Sequence, residues 1–329
     1  MDAGAHCIAV DVDAALTLTM MDGQSGATGI DEVIDGDGQG SFTAGVFNAD
    51  GGLYHVRAAR RVVPSEEVTS PARRVRVHAA AARGLGARAG ESVHLMASLP
   101  MKDYFTDANA ASTLVELVQR SFEQPTTSAD DAMLLPSLKV RVLPRTVAAF
   151  MDWAFSPTGQ LLDPPQGVSS VVVVDIAHSG TTLAAFDAAT QEMVLGSRIE
   201  LPHGWSEALM ALGQALLQKH SLDDLPVRAA INALLKGQYH HRGSVWSCVG
   251  SLEAAFAPLA QSSGQVIEQM VHAHTLQKPM LLVCGPGASA LGHLLRKSWG
   301  DAVTVPAEPE HSNARGMHKF GMLAMAGDL

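Results

Sequence analysis

The sequence has little cysteine and no long apolar run. Its three cysteines, Cys7, Cys248 and Cys284, lack CxxC spacing, so they indicate neither a disulfide framework nor a zinc site and are typical of a reducing compartment. No apolar stretch approaches the ~18 residues that a membrane span needs. The N-terminus also lacks the basic and apolar regions of a secretion signal. We therefore expect a cytoplasmic protein that has no membrane partner.

Positive charge is scarce as well. The chain has 23 Lys and Arg against 33 Asp and Glu, and its net charge is −10. This balance argues against nucleic-acid binding by the whole surface, and we expect no direct sequence-specific contact with DNA. Two short basic segments, RAARRVV and PARRVRVH, are the local exception, and they contain Arg57, Arg60, Arg61, Arg73, Arg74 and Arg76. We interpret them as a solvated edge, with a partner or nucleic-acid contact as the alternative.

The chain is long enough for two or more globular domains, with 329 residues of which 47% are hydrophobic. Strand patterns alternate with helix patterns, which indicates α/β layers. The segment LLDPPQG (161–167) has two prolines and a glycine and is the best candidate for a linker. Residues 251–276 predict a long helix that is bent or interrupted near Pro258 or Gly264.

A coarse repeat relates the two halves of the chain. The segments IAVDVDAALTLTMM and VVVVDIAHSGTTLAAFD each read as strand, acid, turn and strand, and Asp11 and Asp175 occupy matching places. Repeats point to a duplicated architecture. Two similar domains, each with an acidic hairpin, would face each other across a cleft.

The hairpins suit a phosphate and a metal ion. Small residues let the backbone approach a phosphate and hydroxyls add donors, which favours the Ser-Gly-Thr-Thr run at 179–182. Mg²⁺ keeps several waters and is usually reached through one or two carboxylates, a role that Asp11 and Asp175 fit if they converge. The Gly-x-Gly turn of CGPGASAL (284–291) can admit a base or ribose against its backbone. Turn-capping carboxylates in a surface hairpin are the alternative.

Five motifs carry a resemblance to a known family. They are MASLPMKDYF (96–105), LKVRVLPRTVAAF (138–150), DIAHSGTT (175–182), LLVCGPGASAL (281–291) and NARGMHKFG (313–321). Their order, together with the two hairpins, resembles that of the actin/Hsp70/sugar-kinase superfamily. Within it the chain is most similar to the ParM/StbA group of bacterial actin-like plasmid-segregation proteins.

The resemblance implies an α/β fold of two duplicated actin-like (ribonuclease H-like) domains that flank a nucleotide cleft. The expected first domain is 1–165, with 22–78 as a small inserted subdomain. The expected second domain is 166–313, and a C-terminal helix over 314–329 would return to the first.

The resemblance also implies ATP, or GTP, with Mg²⁺ as the ligands. Asp11 and Asp175 would hold Mg²⁺, mainly through water, and are the catalytic candidates. The other expected nucleotide contacts are Asp13, Ser179, Gly180, Thr181, Thr182, Gly204, Gly285, Pro286, Gly287 and Ser289. The family polymerises head to tail, and an adaptor bound to centromere-like DNA couples filament growth to plasmid movement. We therefore expect the chain itself and such an adaptor protein as partners.

Both hairpins depart from the family pattern. Asp13 stands where glycine is usual, and Leu18 replaces a Lys or Gln. In the second hairpin Ala177 and His178 stand where two glycines are expected. Asp13 would be a second carboxylate in the first hairpin, beside Asp11. It would repel a phosphate unless a metal ion lies between the carboxylate and the phosphate.

The most informative departure is Arg145. ParM-like proteins have at this place a glutamate that helps to position the attacking water. An arginine stays protonated, so it cannot act as a general base. It can instead bind a γ-phosphate or an acid of a partner. Hydrolysis would then be slow, use Asp175 through water, or be absent.

Three functions follow from these residues. The leading one is a cytomotive filament protein that binds ATP and Mg²⁺, with weak ATPase activity coupled to polymerisation and a role in plasmid DNA segregation. The alternative is an actin-fold scaffold or adaptor that binds nucleotide without efficient hydrolysis. A small-molecule kinase ranks last, because the chain is short and has no inserted substrate-recognition segment.

Overall fold

The structure, a computed structural model, describes residues 6–326 with gaps. The gaps are 14–15, 22–23, 26–28, 36–45, 50–51, 59–69, 86–92, 105–115, 122–126, 129–137 and 242. The chain divides into two compact units, Met1–Leu161 with Asn313–Leu329, and Leu162–Ser312. The predicted domain limits, 165/166 and 313/314, lie close to these two boundaries. The assignment of the two parts as actin-like domains I and II stays a prediction.

The first unit is built on a mixed sheet. Its strands are β1 (His6–Asp13), β2 (Leu16–Met21), β3 (Gln24–Ser25), β4 (Gly29–Asp35), β5 (Val46–Ala49), β6 (Gly52–Ala58), β7 (Val93–Leu99), β8 (Thr127–Ser128) and β9 (Leu138–Pro144). Their order is β8-β5-β6-β4-β2-β1-β7-β9, with β3 on β2. β1 runs antiparallel to β2 and parallel to β7. Strands β3 to β6 fall in the predicted insertion 22–78, parts of which lie outside the described residues.

The second unit has a five-stranded sheet and a separate hairpin. Its strands are β10 (Ser170–Ile176), β11 (Thr181–Asp187), β12 (Ile199–Leu201), β13 (Gln238–His241), β14 (Ser244–Ser247), β15 (Pro279–Cys284) and β16 (Val303–Thr304). The sheet order is β12-β11-β10-β15-β16, and β13 pairs with β14. β10 is antiparallel to β11 and parallel to β15.

Eight helices of the described residues are labelled in chain order. They are α1 (Pro71–Leu85), α2 (Met101–Tyr104), α3 (Arg145–Ala154), α4 (Trp205–His220), α5 (Val227–Lys236), α6 (Val249–Ala273), α7 (Ala288–Trp299) and α8 (Ser312–Ala326). Residues 116–121 are also helical. None of the helices described here has the length and apolar character that would let it cross a membrane.

Alternation along β1 separates the two faces of the first sheet, because successive side chains of a strand point to opposite sides. Ile8, Val10 and Val12 join a buried core that includes Val77 of α1. On the opposite face, the Cys7 thiol donates to the backbone oxygen of His318 in α8 at 3.7 Å. Asp11 lies four residues after Cys7 and so on the same face of the strand. Its carboxylate is therefore on the α8 side of the sheet.

Helix α8 is held against α3 by close backbone contact and by charge. A Cβ atom on Gly316 would lie 1.7 Å from the Ala148 oxygen, so only glycine allows this crossing. The guanidinium of Arg315 donates to both carboxylate oxygens of Asp152, with Nε 3.2 Å from Oδ1 and Nη2 2.7 Å from Oδ2. Lys319 adds a second cation, with Nζ 3.0 Å from the Asp152 carboxylate. The last helix is therefore part of the first unit although it follows the second in sequence.

The run Val171–Val174 is fully buried at the centre of the second sheet. β10 has β11 on one side and the parallel strand β15 on the other. A strand covered on both faces reads as a continuous apolar run, which is how this segment reads in the sequence.

The interpretation of the basic segments as a solvated edge is wrong for α1. Arg73, Arg74 and Arg76 are at most 5% exposed. Arg73 donates to the Ser98 oxygen at 3.2 Å, and Arg74 donates to the Ser121 oxygen at 3.3 Å. These guanidinium groups bond to backbone carbonyls, and α1 contributes Val77 to the core, so the helix lies inside. Arg60 and Arg61 lie outside the described residues, as does the side chain of Arg57.

Of the predicted bend or interruption near Pro258 or Gly264, the interruption does not occur, since α6 continues as one helix through both residues, and the bend stays a prediction. Proline in a helix interior removes one backbone hydrogen bond. Here α6 buries Leu252, Phe256 and Ile267 along its length. Packing of this apolar face outweighs the local cost, as it does for most helices in proteins.

Candidate functional site

The carboxylate of Asp11 is fully buried in the first unit and is held by three side chains. Ser98 donates its hydroxyl to Oδ1 at 2.5 Å, and Asn313 donates its amide to Oδ2 at 3.3 Å. The guanidinium of Arg145 lies with Nη2 3.5 Å from the same Oδ2. A buried charge is tolerated when it is paired and hydrogen-bonded, which explains why Asp11 is stable in the interior.

Three elements bring these partners to Asp11. Ser98 lies on β7, which pairs with β1, and Asn313 lies in the first turn of α8. Arg145 begins α3 directly after Pro144, which ends β9. A cation at a helix N-terminus opposes the helix dipole, and the Asp11 carboxylate compensates for it. The position of Arg145 is therefore explained by its pairing with Asp11.

Sequence reasoning missed Ser98 and Asn313 as functional candidates. Both lie within motifs that carry the family resemblance, Ser98 in MASLPMKDYF and Asn313 at the start of NARGMHKFG. Their partner is far away in sequence, 87 and 302 positions from them. Asp13 belongs to β1, but its side chain and the turn 14–15 lie outside the described residues. Its predicted contact with phosphate stays a prediction.

In the second unit, Asp175 lies near the end of β10 and is 2% exposed. The strand register places it opposite Thr182 on β11 and opposite Cys284 on β15. The Cys284 sulfur is 3.9 Å from Oδ1 of Asp175. The next residues form a tight turn, closed by a hydrogen bond from the Ala177 N–H to the Gly180 oxygen at 2.8 Å.

The N-terminus of α4 holds this turn in place. The N–H groups of Trp205 and Ser206 donate to the oxygens of Ala177 and His178, at 2.9 and 3.0 Å. A Cβ atom on Gly204 would lie 2.2 Å from the Ala177 oxygen, so a side chain there would push the turn away. These two helix amides are bonded to the turn, so Gly204 has a packing role beside its predicted contact with nucleotide.

The Gly-Pro-Gly turn lies at the same edge of the second sheet. Gly285 has φ +93, and a Cβ atom on it would lie 2.2 Å from the Ile176 oxygen. Gly287 has φ +83, and its Cβ would lie 2.1 Å from the ring of Phe256. Both positions need glycine, because the left-handed backbone and the close neighbours exclude a side chain. Pro286 is buried between them, whereas Ser289 is exposed in the first turn of α7.

The second unit thus brings most of its predicted residues to one place. β10 and β15 are parallel, so the ends at Asp175 and Cys284 meet at one edge, followed by the turns 177–180 and 285–287. In open α/β sheets, ligands bind beyond the carboxyl ends of the parallel strands, and the two turns lie at that position.

The predicted hydroxyls are not equivalent. Thr181 is 1% exposed and donates to the His203 oxygen at 2.8 Å. The Thr181 hydroxyl therefore stabilises the fold and has already donated its proton to a hydrogen bond. Ser179, in contrast, is exposed in the turn itself. Thr182 is half-buried on β11.

This edge suits Mg²⁺ bound together with a phosphate better than a metal ion held by protein alone. In the part of the chain that the structure describes, no group of three His, Cys, Asp or Glu could hold a metal ion. Mg²⁺ is usually held by one or two carboxylates with substrate phosphates and water as its other ligands. Asp175, beside the turn 177–180 with its exposed Ser179, matches that donor set.

No protein-family model and no curated protein sequence matches the chain. Solved structures match over almost its whole length. The actin-like protein Alp7A has a TM-score of 0.76 at 12% identity, over 98% of each chain. The chain has an actin-like fold.

Two further actin-like structures show the same likeness. The ADP complex of Ta0583, an archaeal actin homolog, has a TM-score of 0.72 at 15% identity, over 98% of this chain and 100% of that one. ParM in a 15-stranded filament from Clostridium botulinum has a TM-score of 0.66 at 13% identity, over 97% and 99%. The predicted α/β actin-like fold, and the resemblance in fold to ParM-type proteins, are confirmed.

Proposed function

We propose that this actin-like chain binds a nucleoside triphosphate, ATP or GTP, together with Mg²⁺ and assembles with itself into filaments. The observation that carries the proposal is the edge of the second sheet, where Asp175, the turn 177–180 and the Gly-Pro-Gly turn meet. The fold likeness to ParM from a filament and to an actin homolog in complex with ADP supports both parts.

At this edge each group has a separate task. Ser179, exposed in the turn, is the hydroxyl that we assign to phosphate, while Thr181 and the α4 amides fix the turn. Asp175 would hold Mg²⁺ through water, and the ion would offset the phosphate charge. The Gly-Pro-Gly turn, with Ser289 beyond it, is assigned to the nucleoside. Fixed donors of this kind favour binding because they need no reorganisation.

In the first unit, Asp11 and Arg145 neutralise each other. The ion pair therefore competes with the roles predicted for its two members. Asp11 can approach Mg²⁺ as a carboxylate, and Arg145 can bind phosphate or a partner's acid, only after the two side chains separate. The convergence of Asp11 with Asp175 stays a prediction.

Sedimentation tests the proposal. The chain should pellet with Mg²⁺ and a non-hydrolysable ATP or GTP analogue and remain in the supernatant without nucleotide. Asp175→Asn should abolish pelleting, because an amide cannot replace the carboxylate near Mg²⁺. Asp163→Asn, an exposed aspartate of the linker, is the matched control and should pellet like the parent. Absence of pelleting with every nucleotide would remove the filament part, and unchanged pelleting of Asp175→Asn would remove the assigned site.

A second candidate function is a scaffold that binds nucleotide without efficient turnover. The buried pair of Arg145 and Asp11 favours it, because Arg145 cannot accept a proton and Asp11 is already engaged. Phosphate released in the same sedimentation reactions distinguishes the two functions. Release at the level of the Asp175→Asn variant supports the scaffold, whereas release well above that level supports the ATPase.

The cellular role that we propose is plasmid DNA segregation in the cytoplasm, through an adaptor protein bound to DNA. It rests on the motif resemblance to the ParM/StbA group. Co-sedimentation of the filament with a DNA-bound adaptor is its test, and an adaptor that stays in the supernatant would argue against it.

A further inference from the structure

Four aromatic rings are stacked at the C-terminal end of α4. The ring of His220, the last residue of this helix, stacks on Trp246 with a centroid distance of 4.0 Å and an interplanar angle of 18°. Tyr239 and His241 lie 5.7 and 5.9 Å from the same indole. Register explains the arrangement, because Tyr239 pairs with Trp246 across the β13–β14 hairpin and His241 follows two residues on.

Part of this stack has a structural role. A two-stranded hairpin is marginally stable by itself, and the rings attach it to α4. Tyr239 is 2% exposed, and burial raises its pKa, so its phenol stays neutral. The hydroxyl lies 3.4 Å from Nδ1 of His241. Ser221 then turns the chain in the left-handed conformation, with φ +50, and starts the segment beside the rings.

Three of these rings, those of His220, His241 and Trp246, also line a cavity of about 480 Å³. Its other walls include Ser244 and two consecutive exposed carboxylates, Asp223 and Asp224. We call this site the ring pocket (His220, Asp223, Asp224, His241, Ser244 and Trp246). Packing of the hairpin accounts for Tyr239, but it does not explain why two acids lie at an open aromatic wall.

The chemistry of the ring pocket selects a planar cation. Two carboxylates disfavour an anion, and within the described residues no three ligating side chains gather that could hold a metal ion. A guanidinium is planar and weakly hydrated, stacks on aromatic rings and pairs with carboxylates in two parallel hydrogen bonds. An ammonium group would gain the charge but lose the stacking of a flat group.

The charge of the chain indicates what kind of partner supplies the cation. Val245, between two residues of the pocket wall, is 55% exposed, but it pairs with His240 and lies on the other face of the hairpin from the rings. A single exposed valine does not mark a contact surface, so the choice of partner rests on charge. The chain itself carries a net charge of −10, which favours a basic partner over a second copy of this acidic chain.

We propose that the ring pocket binds an arginine side chain presented by a basic segment of a partner protein. The pocket lies at the opposite end of α4 from the turn 177–180, a separation of about 24 Å for a helix of 16 residues. It is therefore distinct from the proposed nucleotide site, and binding should not require nucleotide.

The test is a titration with two capped peptides, Leu-Arg-Leu and its citrulline twin, which keeps the shape and lacks the charge. The readout is the indole N–H resonance of Trp246 in the ¹⁵N-labelled full chain, assigned through Trp246→Phe. We expect a saturable shift with the arginine peptide and at least tenfold weaker binding of the citrulline peptide. Because Arg242 follows His241 and lies outside the described residues, the titration is repeated in Arg242→Ala, with the same result expected.

Two double variants complete the experiment. Asp223→Asn with Asp224→Asn should weaken binding of the arginine peptide at least tenfold and keep the chemical shifts of the hairpin. Asp163→Asn with Asp301→Asn removes the same charge from exposed positions elsewhere and should leave the affinity unchanged. No saturable shift, equal affinity for both peptides, or equal loss in both double variants would overturn the proposal. Concentration-dependent self-association that is lost in Trp246→Ala, without peptide binding, would overturn it in favour of a second copy.

Discussion

Gly285→Ala is expected to lower the free energy of unfolding by about 4 kcal/mol and to remove nucleotide-dependent sedimentation. About 2 kcal/mol comes from the left-handed backbone, with φ +93 at this residue. About 2 kcal/mol more comes from collision, since the new Cβ would lie 2.2 Å from the Ile176 oxygen. The collision can be relieved only if β10 and β15 move apart next to Asp175. Urea denaturation followed by circular dichroism measures the first effect.

Gly167→Ala is the matched control for this prediction. Gly167 also has a positive φ, +86, but a Cβ atom there would meet nothing within 4 Å. It should therefore lose only the backbone contribution of about 2 kcal/mol and keep sedimentation. Equal losses in the two variants would show that contact with Ile176 is not what makes Gly285 necessary.

The second large effect is expected when the pair of Asp11 and Arg145 is broken. Arg145→Met should lower the free energy of unfolding by about 3 kcal/mol, because it leaves the buried Asp11 carboxylate without its cation. Asp11→Asn should have a similar effect, since it leaves a buried guanidinium. The double variant should recover to within about 1 kcal/mol of the parent, because a neutral pair carries no unpaired charge.

Arg141→Met is the control for this cycle, because Arg141 is an exposed arginine of the same strand–helix segment. Its effect should stay within about 0.5 kcal/mol. A double variant as unstable as the sum of the single ones would show that Asp11 and Arg145 act independently. The roles assigned to them in the first unit would then need a different basis.

The parts of the fold that could be predicted from the sequence are those with local causes. Both hairpins follow from a strand, an acid, a turn and a second strand within about 20 residues, a range over which pattern is informative. The register pairs Asp11 with Leu18 and Asp175 with Thr182. The Gly-Pro-Gly turn between strand and helix was likewise readable, because glycine marks positions that other residues cannot adopt.

The remaining features depend on contacts between distant parts of the chain. No local pattern shows that Ser98 and Asn313 meet Asp11. The arginines of α1 resemble those of a solvated helix, and only the backbone carbonyls that they contact explain their burial. Pro258 predicts an interruption by local rules, and the apolar face of α6 overrides it. Burial of polar groups is decided by tertiary packing, which propensity does not contain.

The return of α8 to the first unit has a consequence for how the chain matures on the ribosome. Asn313, Arg315 and Gly316 supply contacts to Asp11, Asp152 and Ala148, yet they are translated after the entire second unit. Domains that are contiguous in sequence can fold as they emerge. Here the N-terminal part must wait for its last helix while the intervening unit is synthesised. A nascent chain stalled before residue 313 would expose the side of β1 that carries Cys7 and Asp11 to chaperones, and the emergence of α8 would be the event that covers it.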